Sequence, residues 1–456
     1  MPPGTAMSTT PSPGATSTAS LTLAASSTST ASSTSTASST STAPSTSRTS
    51  STPARATFSR RGFLAGAGAG LATLLVRPNL AAFAAPAARA AGRKTVVIVM
   101  QRGAVDGLAM VPPHGDPELA KARPTLASKL GAGVVDLDGR FGLHAGLAAL
   151  APHFAAKRLA IVPAVGLPGA SRSHFEAQDR LEQGGVASDT GWANRLLAHR
   201  AHGDATAIAV GTSLPRALAG AEPALVIERN GELGVARKAP AAKRAQLLAA
   251  FGELYASGDD PFAKVARRAL ASAANVEAAL AAQPALAQVP QGPVGQAMMT
   301  AARLIRADLG AELIVVDTGG WDTHVSEAQR LDRGLGQLGA AIAAFATALG
   351  DRLADVTLVT ISEFGRTVRE NGTGGTDHGT ATTSLVLGGD VAGGQIVGAF
   401  PGLAENQRFE GRDLAIATDT RDLLGDVLAG TLGLAPAELA AIFPGHTHRR
   451  LGILRS

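Results

Sequence analysis

Residues Thr95–Met100 form a short, unbroken apolar run rich in β-branched side chains. Such a run predicts a strand buried on both faces of a sheet. Similar runs recur at Leu159–Val165, Ala207–Gly211, Leu313–Asp317, Val356–Ser362 and Ser384–Leu387. Between them lie segments with apolar residues at helical spacing: His144–Lys157, His174–Gln183, Ala241–Tyr255, Pro261–Ala282, Val294–Leu309 and Val325–Leu349. Strands alternating with helices predict an α/β fold with a mostly parallel central sheet flanked by helices. The Ala-rich stretch 212–290 reads as a mainly helical insertion or cap on that sheet.

The N-terminal fifth of the chain breaks the pattern. Residues 1–57 are almost wholly Ser, Thr, Ala and Pro, without an acidic or aromatic side chain. They cannot bury enough apolar surface to offset ordering entropy, so we expect disorder there. Ser59-Arg60-Arg61-Gly62-Phe63-Leu64 follows, then a mild Gly/Ala-rich apolar run to Val76. That run is shorter than the roughly 20 residues a membrane span needs. Small-x-small cleavage patterns end at Ala84 and Ala90. Basic pair, weak apolar run and small-residue exit, in this order, resemble a twin-arginine signal over 58–90. The expected partner is the twin-arginine translocation machinery and the expected location periplasmic or extracellular, with no stable transmembrane anchor. Residues 91–456 are then expected to form a single α/β domain.

Charge changes meaning once the leader is set apart. The chain carries a formal +5, but residues 1–90 hold six arginines and no acid, so the remainder carries −1. The basicity is a leader property and does not argue for a nucleic-acid partner. Cysteine is absent. No disulfide framework exists, and the domain must stand on its core alone.

In an open α/β sheet, ligands bind beyond the carboxyl ends of the strands. The segments after the predicted strands collect Asp, Glu, His and Ser among glycines. They are Gln101–Gly107, Gly166–Glu176, Asp317–His324, Ser362–Thr367 and the later Gly372–Gly379. Asp, Glu and neutral His suit Zn²⁺, and the oxygen donors also suit Mg²⁺, Mn²⁺ or Ca²⁺. Candidate metal ligands are therefore Asp106, His174, Asp322, His324, Glu363, Asp377 and His378. Ser173-x-x-Glu176 fits a capping box at a helix start. The same place is an anion site where a hydroxyl can act as nucleophile, with Ser171 as the competing hydroxyl. Arg172 and Arg366 are candidates for pairing with an anionic substrate through their donor forks.

The motifs Arg102-Gly103-x-x-Asp106-Gly107-Leu108, Ser171-Arg172-Ser173-His174-Phe175, Gly319-Gly320-Trp321-Asp322-Thr323-His324, Glu363-Phe364-Gly365-Arg366-Thr367 and Asp377-His378-Gly379 together resemble a twin-arginine-exported bacterial family. This is the domain of unknown function 1501 family, and the resemblance spans about 93 to 448. That family resembles a distant branch of the alkaline phosphatase and sulfatase superfamily. The resemblance implies an alkaline-phosphatase-like fold with one or two metal ions at the strand ends and a nucleophile at a helix start. It implies Asp106, Asp322, His324, Asp377 and His378 as metal ligands and Ser171 or Ser173 in the nucleophile region. The chain departs from the superfamily in having Glu363-Phe364, with no His, after Val356–Ser362, and in offering no Cys nucleophile. The expected activity is metal-dependent hydrolysis of a phosphate or sulfate ester on an anionic small molecule or polysaccharide. The alternatives are a non-catalytic member binding an anionic ligand, polysaccharide or envelope partner, and an export-competent scaffold.

Overall fold

A run of apolar residues six or seven long can satisfy its backbone only by pairing on both sides, and the central strand does so. In the computed structural model, which describes residues 93–455 apart from 131, 170, 201–205, 233–239, 258–259, 285 and 287, strand β1 (Thr95–Gln101) is buried throughout. The other strands are β2 (Val135–Asp136), β3 (Gly142–Leu143), β4 (Leu159–Gly166), β5 (Ala207–Val210), β6 (Leu225–Ile227), β7 (Leu313–Thr318), β8 (Val356–Ile361), β9 (Thr382–Gly388), β10 (Gln395–Ile396) and β11 (Thr418–Asp419). Strands β2 and β3 form a separate antiparallel pair, and the rest make a nine-stranded sheet. Its order is β10-β4-β9-β8-β1-β7-β5-β6, with β11 also pairing β4. All pairings are parallel except those of β9 with β4 and β8. The fold is thus a mostly parallel sheet flanked by helices. The segment 1–57, the Arg60-Arg61 leader and both cleavage candidates lie outside the described residues.

Alternation along the strands divides two cores, because successive side chains point to opposite faces. Val97, Val99, Ile314, Val316, Leu159 and Ile161 face one core. Val96, Ile98, Met100, Leu313, Val315 and Val162 face the other. The first is covered chiefly by the helices Gly292–Arg306 and Glu327–Leu349. In the second of these, Leu331, Leu335, Leu338, Ile342, Phe345 and Leu349 recur every three or four residues and make one buried stripe. The opposite core is covered by Trp192–Leu197, Thr420–Leu432 and Pro436–Ile442.

The stretch 212–290 holds the helices Ala241–Ala256 and Pro261–Ala281, but also edge strand β6, paired parallel to β5. A three-residue strand is too short to show a period. The helix expected from Val325 begins instead at Glu327, behind a left-handed Ser326 (φ 52°). There the Glu327 and Ser326 N–H groups donate to the carbonyls of Gly374 and Thr373, so the 373–377 loop supplies the helix cap. Because β1, β4, β7 and β8 run parallel, their carboxyl ends open onto one edge, and the amino end of antiparallel β9 returns to it.

Candidate metal centre

One arginine organises this edge. Arg366, 1% exposed, donates from Nε to Ala104 O (2.7 Å) and from its terminal nitrogens to Gly103 O (2.7 Å), Trp321 O (3.1 Å) and Thr376 O (3.1 Å). It also donates to Asp322 Oδ1 at 2.6 Å. The loops after β1, β7 and β8 and the loop before β9 are thereby tied together. Close backbone approach demands glycine at two of these places. Gly103 lies at φ +113°, with Asp322 N only 2.7 Å from where a Cβ would sit, and a Cβ on Gly365 would meet Ala381 O at 1.8 Å.

Around Asp322 the histidines gather. His174, Asp322 and His378 offer ligand atoms within 4.8 Å of one another. Asp322 Oδ1 lies 3.6 Å from His174 Nε2, 3.4 Å from His378 Nε2 and 3.1 Å from His324 Nε2. His324 Nε2 and His378 Nε2 are 3.0 Å apart. His174 Nε2 is buried without a hydrogen-bond partner.

The opposite ring nitrogens are occupied. His174 Nδ1 meets Glu363 Oε1 at 2.8 Å, and the ring stacks on Phe364. That oxygen also accepts from Gly103 N–H and Gln178 Nε2, each at 2.8 Å. His378 Nδ1 meets the Arg172 carbonyl at 2.8 Å, and His324 Nδ1 meets Asp377 Oδ1 at 3.1 Å. A carbonyl, and a carboxylate oxygen already receiving donors, can only accept, so each Nδ1 carries a proton and Nε2 is the ring nitrogen turned towards Asp322. Burial, the larger influence, holds the His378 pKa below the ordinary value, which keeps that ring neutral. Burial works against the Asp322 charge as well, but the Arg366 guanidinium outweighs it and sets the pKa at about 2.

The edge does not bring every expected residue into this group. Asp106 is fully buried; its Oδ1 caps the helix Gly107–Met110 through Leu108 and Ala109 N–H, and its other oxygen is paired with buried Arg123. Its lone pairs serve a separate network, so the structure sets it apart from the ligand group. Glu363 is 1% exposed and faces His174 Nδ1, Gln178 and Gly103, which places it behind a histidine and not among the ligand atoms. Asp377 stands likewise behind His324 and also accepts from Asn371 Nδ2. Neither expected substrate arginine is available as a free fork. Arg172 is paired with Asp413 and Glu410, and Arg366 is spent on Asp322 and four carbonyls. Ser173 begins the helix His174–Glu182 with an extended backbone but no side-chain cap, so the expected capping box does not form. Ser171 Oγ accepts from Ser173 N–H at 2.9 Å.

Two further residues belong to the site's foundation. Glu327, wholly buried, accepts from Thr376 Oγ1 at 2.6 Å and lies against the Asp106 carboxyl. Burial first, then the Asp106 charge, raises its pKa to about 9. Arg123 holds Asp106 and donates to the Val368 and Thr367 carbonyls. Neither carries a sequence signal: Glu327 looks like an ordinary first-turn acid, and Arg123 stands 17 residues from its partner.

Fold and site together define a mostly parallel α/β protein with a histidine-rich, carboxylate-bearing centre at the strand ends. The chain belongs to the family described as protein of unknown function (DUF1501), whose model matches residues 148–441. No curated protein matches it in sequence. Among solved structures it is similar to the zinc-complexed C-terminal periplasmic domain of EcEptC from Escherichia coli, with 10% identity, TM-score 0.33, 68% of this chain and 76% of that one covered. It is also similar to an alkaline phosphatase superfamily protein from Vibrio parahaemolyticus, with 11% identity, TM-score 0.36, and 84% and 81% covered. A third similarity is to a mutant of the alkaline phosphatase PafA, with 11% identity, TM-score 0.30, and 61% and 64% covered. Resemblances this distant transfer no activity to the chain.

Proposed function

We propose that the chain is an exported, metal-dependent hydrolase of phosphate or sulfate esters. The observation that carries this reading is the convergence of His174 Nε2, His378 Nε2 and Asp322 Oδ1, with His174 Nε2 buried and unpartnered. Lone pairs held this close repel one another unless a cation lies between them. The edges of a tetrahedron with bonds of about 2.0–2.1 Å are about 3.3–3.4 Å, and the separations of 3.6 and 3.4 Å to Asp322 match that figure. A set rich in imidazole nitrogen suits Zn²⁺; Mg²⁺ and Ca²⁺ favour all-oxygen sets and fit less well. Bound there, the ion would supply Lewis acidity to an ester oxygen.

The chain's own groups do the rest. Glu363 and the Arg172 carbonyl keep the two imidazoles oriented, and Arg366 holds Asp322 ionised. The Ser173 hydroxyl, free of capping and next to His174 in the chain, is the nucleophile in this reading. The N–H groups at the start of the helix His174–Glu182 favour an incoming anion. A second reading, a non-catalytic member binding an anionic ligand or polysaccharide, is favoured by one observation: both expected arginines are spent on protein acceptors.

Export through the twin-arginine machinery rests on Arg60-Arg61 and the run after it. Among the described residues no helix is long and apolar enough to cross a membrane. Folding before export would let the metal be acquired in the cytoplasm. The test is elemental analysis of the purified chain, then turnover of chromogenic phosphate and sulfate esters by the protein and by His378→Ala. Stoichiometric metal, with turnover abolished in the variant, is expected. Full metal with no turnover across the ester panel supports the binding reading, and absence of metal after reconstitution refutes the metal-dependent hydrolase.

A further inference from the structure

One face of the helix His174–Glu182 carries a single chain of contacts. His174, Gln178 and Glu182 are spaced four apart, so their side chains project from the same side. Glu182 Oε1 pairs with Arg102 at 2.6 Å, and its other oxygen accepts from Ala217 N–H at 2.8 Å. Arg102 also reaches Asp317, near the end of β7, at 3.0 Å. From the nitrogen that meets Glu182 it donates to Gln178 Oε1 at 3.2 Å. Gln178 Nε2 in turn donates to Glu363 Oε1 at 2.8 Å, the oxygen that accepts from His174 Nδ1. The order of groups is therefore carboxylate, guanidinium, amide, carboxylate, imidazole.

We propose that Gln178 is a positioning residue for His174: its amide, turned by Arg102, holds the Glu363 carboxylate against the ring's Nδ1. An arginine has only donors, so it fixes the carbonyl end of the Gln178 amide and leaves the NH₂ end for Glu363. The reversed amide would set a carbonyl oxygen against a carboxylate and an NH₂ group against a guanidinium. Glu363 needs this donor, because its side chain is 0% exposed and a buried carboxylate is costly unless its oxygens are hydrogen-bonded. Oε1 is served by Gly103 N–H, His174 and Gln178. The first is main chain and the second is the group being held, so Gln178 is the side chain that steers the carboxylate. The ring itself stacks on Phe364 with centroids 5.0 Å apart, a contact that resists tilting but sets no direction for the nitrogens. With Nδ1 tied, Nε2 is aimed at Asp322 Oδ1, 3.6 Å away. The proposal rests on the metal-centre reading only for what Nε2 meets there; the tie itself needs no ion.

The test reads the tie in the metal-free chain. NMR on protein carrying isotope-labelled histidine measures how fast the His174 Nδ1–H exchanges with water, the signal being assigned by its loss in His174→Gln. Gln178→Met fills a similar space without the hydrogen bonds, and exchange is expected to quicken about tenfold, the factor that one lost hydrogen bond brings. Gln178→Glu keeps Arg102 paired but presents Glu363 with an acceptor, and should quicken exchange further. Asp179→Ala, on the same helix but off this face, removes only an exposed ion pair with Arg216 and should leave the rate alone. A role confined to stability would make Gln178→Glu as quiet as Asp179→Ala. Arg102→Met frees the amide to turn and should give a rate between those of the parent and Gln178→Met; a rate equal to the parent's overturns the part assigned to Arg102. Zn²⁺ affinity, measured by competition with a chromophoric chelator, is expected to fall about tenfold in Gln178→Met. Parent-like exchange in both Gln178 variants, an equal change in Asp179→Ala, or a zinc-binding parent whose affinity survives Gln178→Met overturns the proposal. A parent chain that binds no Zn²⁺ refutes instead the metal centre, and the exchange rates then decide the role of Gln178.

Discussion

Glu327 offers the sharpest test of the electrostatics beneath the site. Its side chain is wholly buried, against the Asp106 carboxyl on one side and the Thr376 hydroxyl on the other. Burial, followed by the neighbouring charge of Asp106, raises its pKa from 4.5 to about 9. Burial opposes the Asp106 charge, but Arg123 lowers that pKa, so the pair holds one proton through the neutral range. An acid whose folded pKa is raised keeps a proton that the unfolded chain has released. Stability therefore falls as pH rises from the ordinary carboxyl range towards about 9, by about 1.4 kcal/mol per pH unit. The depressed Asp106 acts only below its own ordinary range and does not offset this. Between pH 5 and pH 8 the contribution lost is up to about 4 kcal/mol. Glu327→Gln removes it, because an amide holds no titrating proton beside Asp106 and still accepts from Thr376 at every pH. Urea unfolding at pH 5, 6.5 and 8, with chelator present so that metal binding does not enter, measures the difference between the two proteins. Contributions from the rest of the chain are common to both proteins and cancel. The variant is expected to match the parent near pH 5 and to exceed it by several kcal/mol at pH 8. Parallel stability curves across that range would refute the shared proton.

Other consequences are simpler to read. Arg366→Met leaves Asp322 and four loop carbonyls without their donor, and unfolding experiments should show a loss of at least about 3 kcal/mol. Zn²⁺ affinity should fall in the same variant, since Asp322 loses its support. Gly365→Ala places a methyl 1.8 Å from Ala381 O, so the loop after β8 must move away from β9; thermal unfolding should report about 3 kcal/mol of destabilisation. Arg60→Lys with Arg61→Lys should retain the protein in the cytoplasm, as cell fractionation would reveal.

Six strands were legible in the sequence because burial on both faces forces a continuous apolar run, and few other elements of this length require one. β6, β10 and β11 were not, because two or three residues cannot display a period. The helices Trp192–Leu197 and Thr420–Leu432 were missed for a related reason: the first is six residues long, and the second carries Asp422 and Asp426 at buried positions. At the site, His174, Asp322, His324 and His378 were legible from their place among glycines after strand ends. The division of labour among the carboxylates was not. A carboxylate at a strand end can act as a ligand only if an oxygen lone pair still faces inwards. Whether it does depends on partners far away in sequence. Glu363 is engaged by Gly103, 260 positions earlier, and Asp106 by Arg123 and Glu327. Residue type and local spacing locate the edge of the sheet where chemistry gathers. Which acids orient the histidines and which face the centre is decided by the donors that long-range packing delivers to each oxygen. Asp322 differs from Glu363 and Asp106 in this respect, for it is half-exposed and lies within reach of all three imidazole Nε2 atoms.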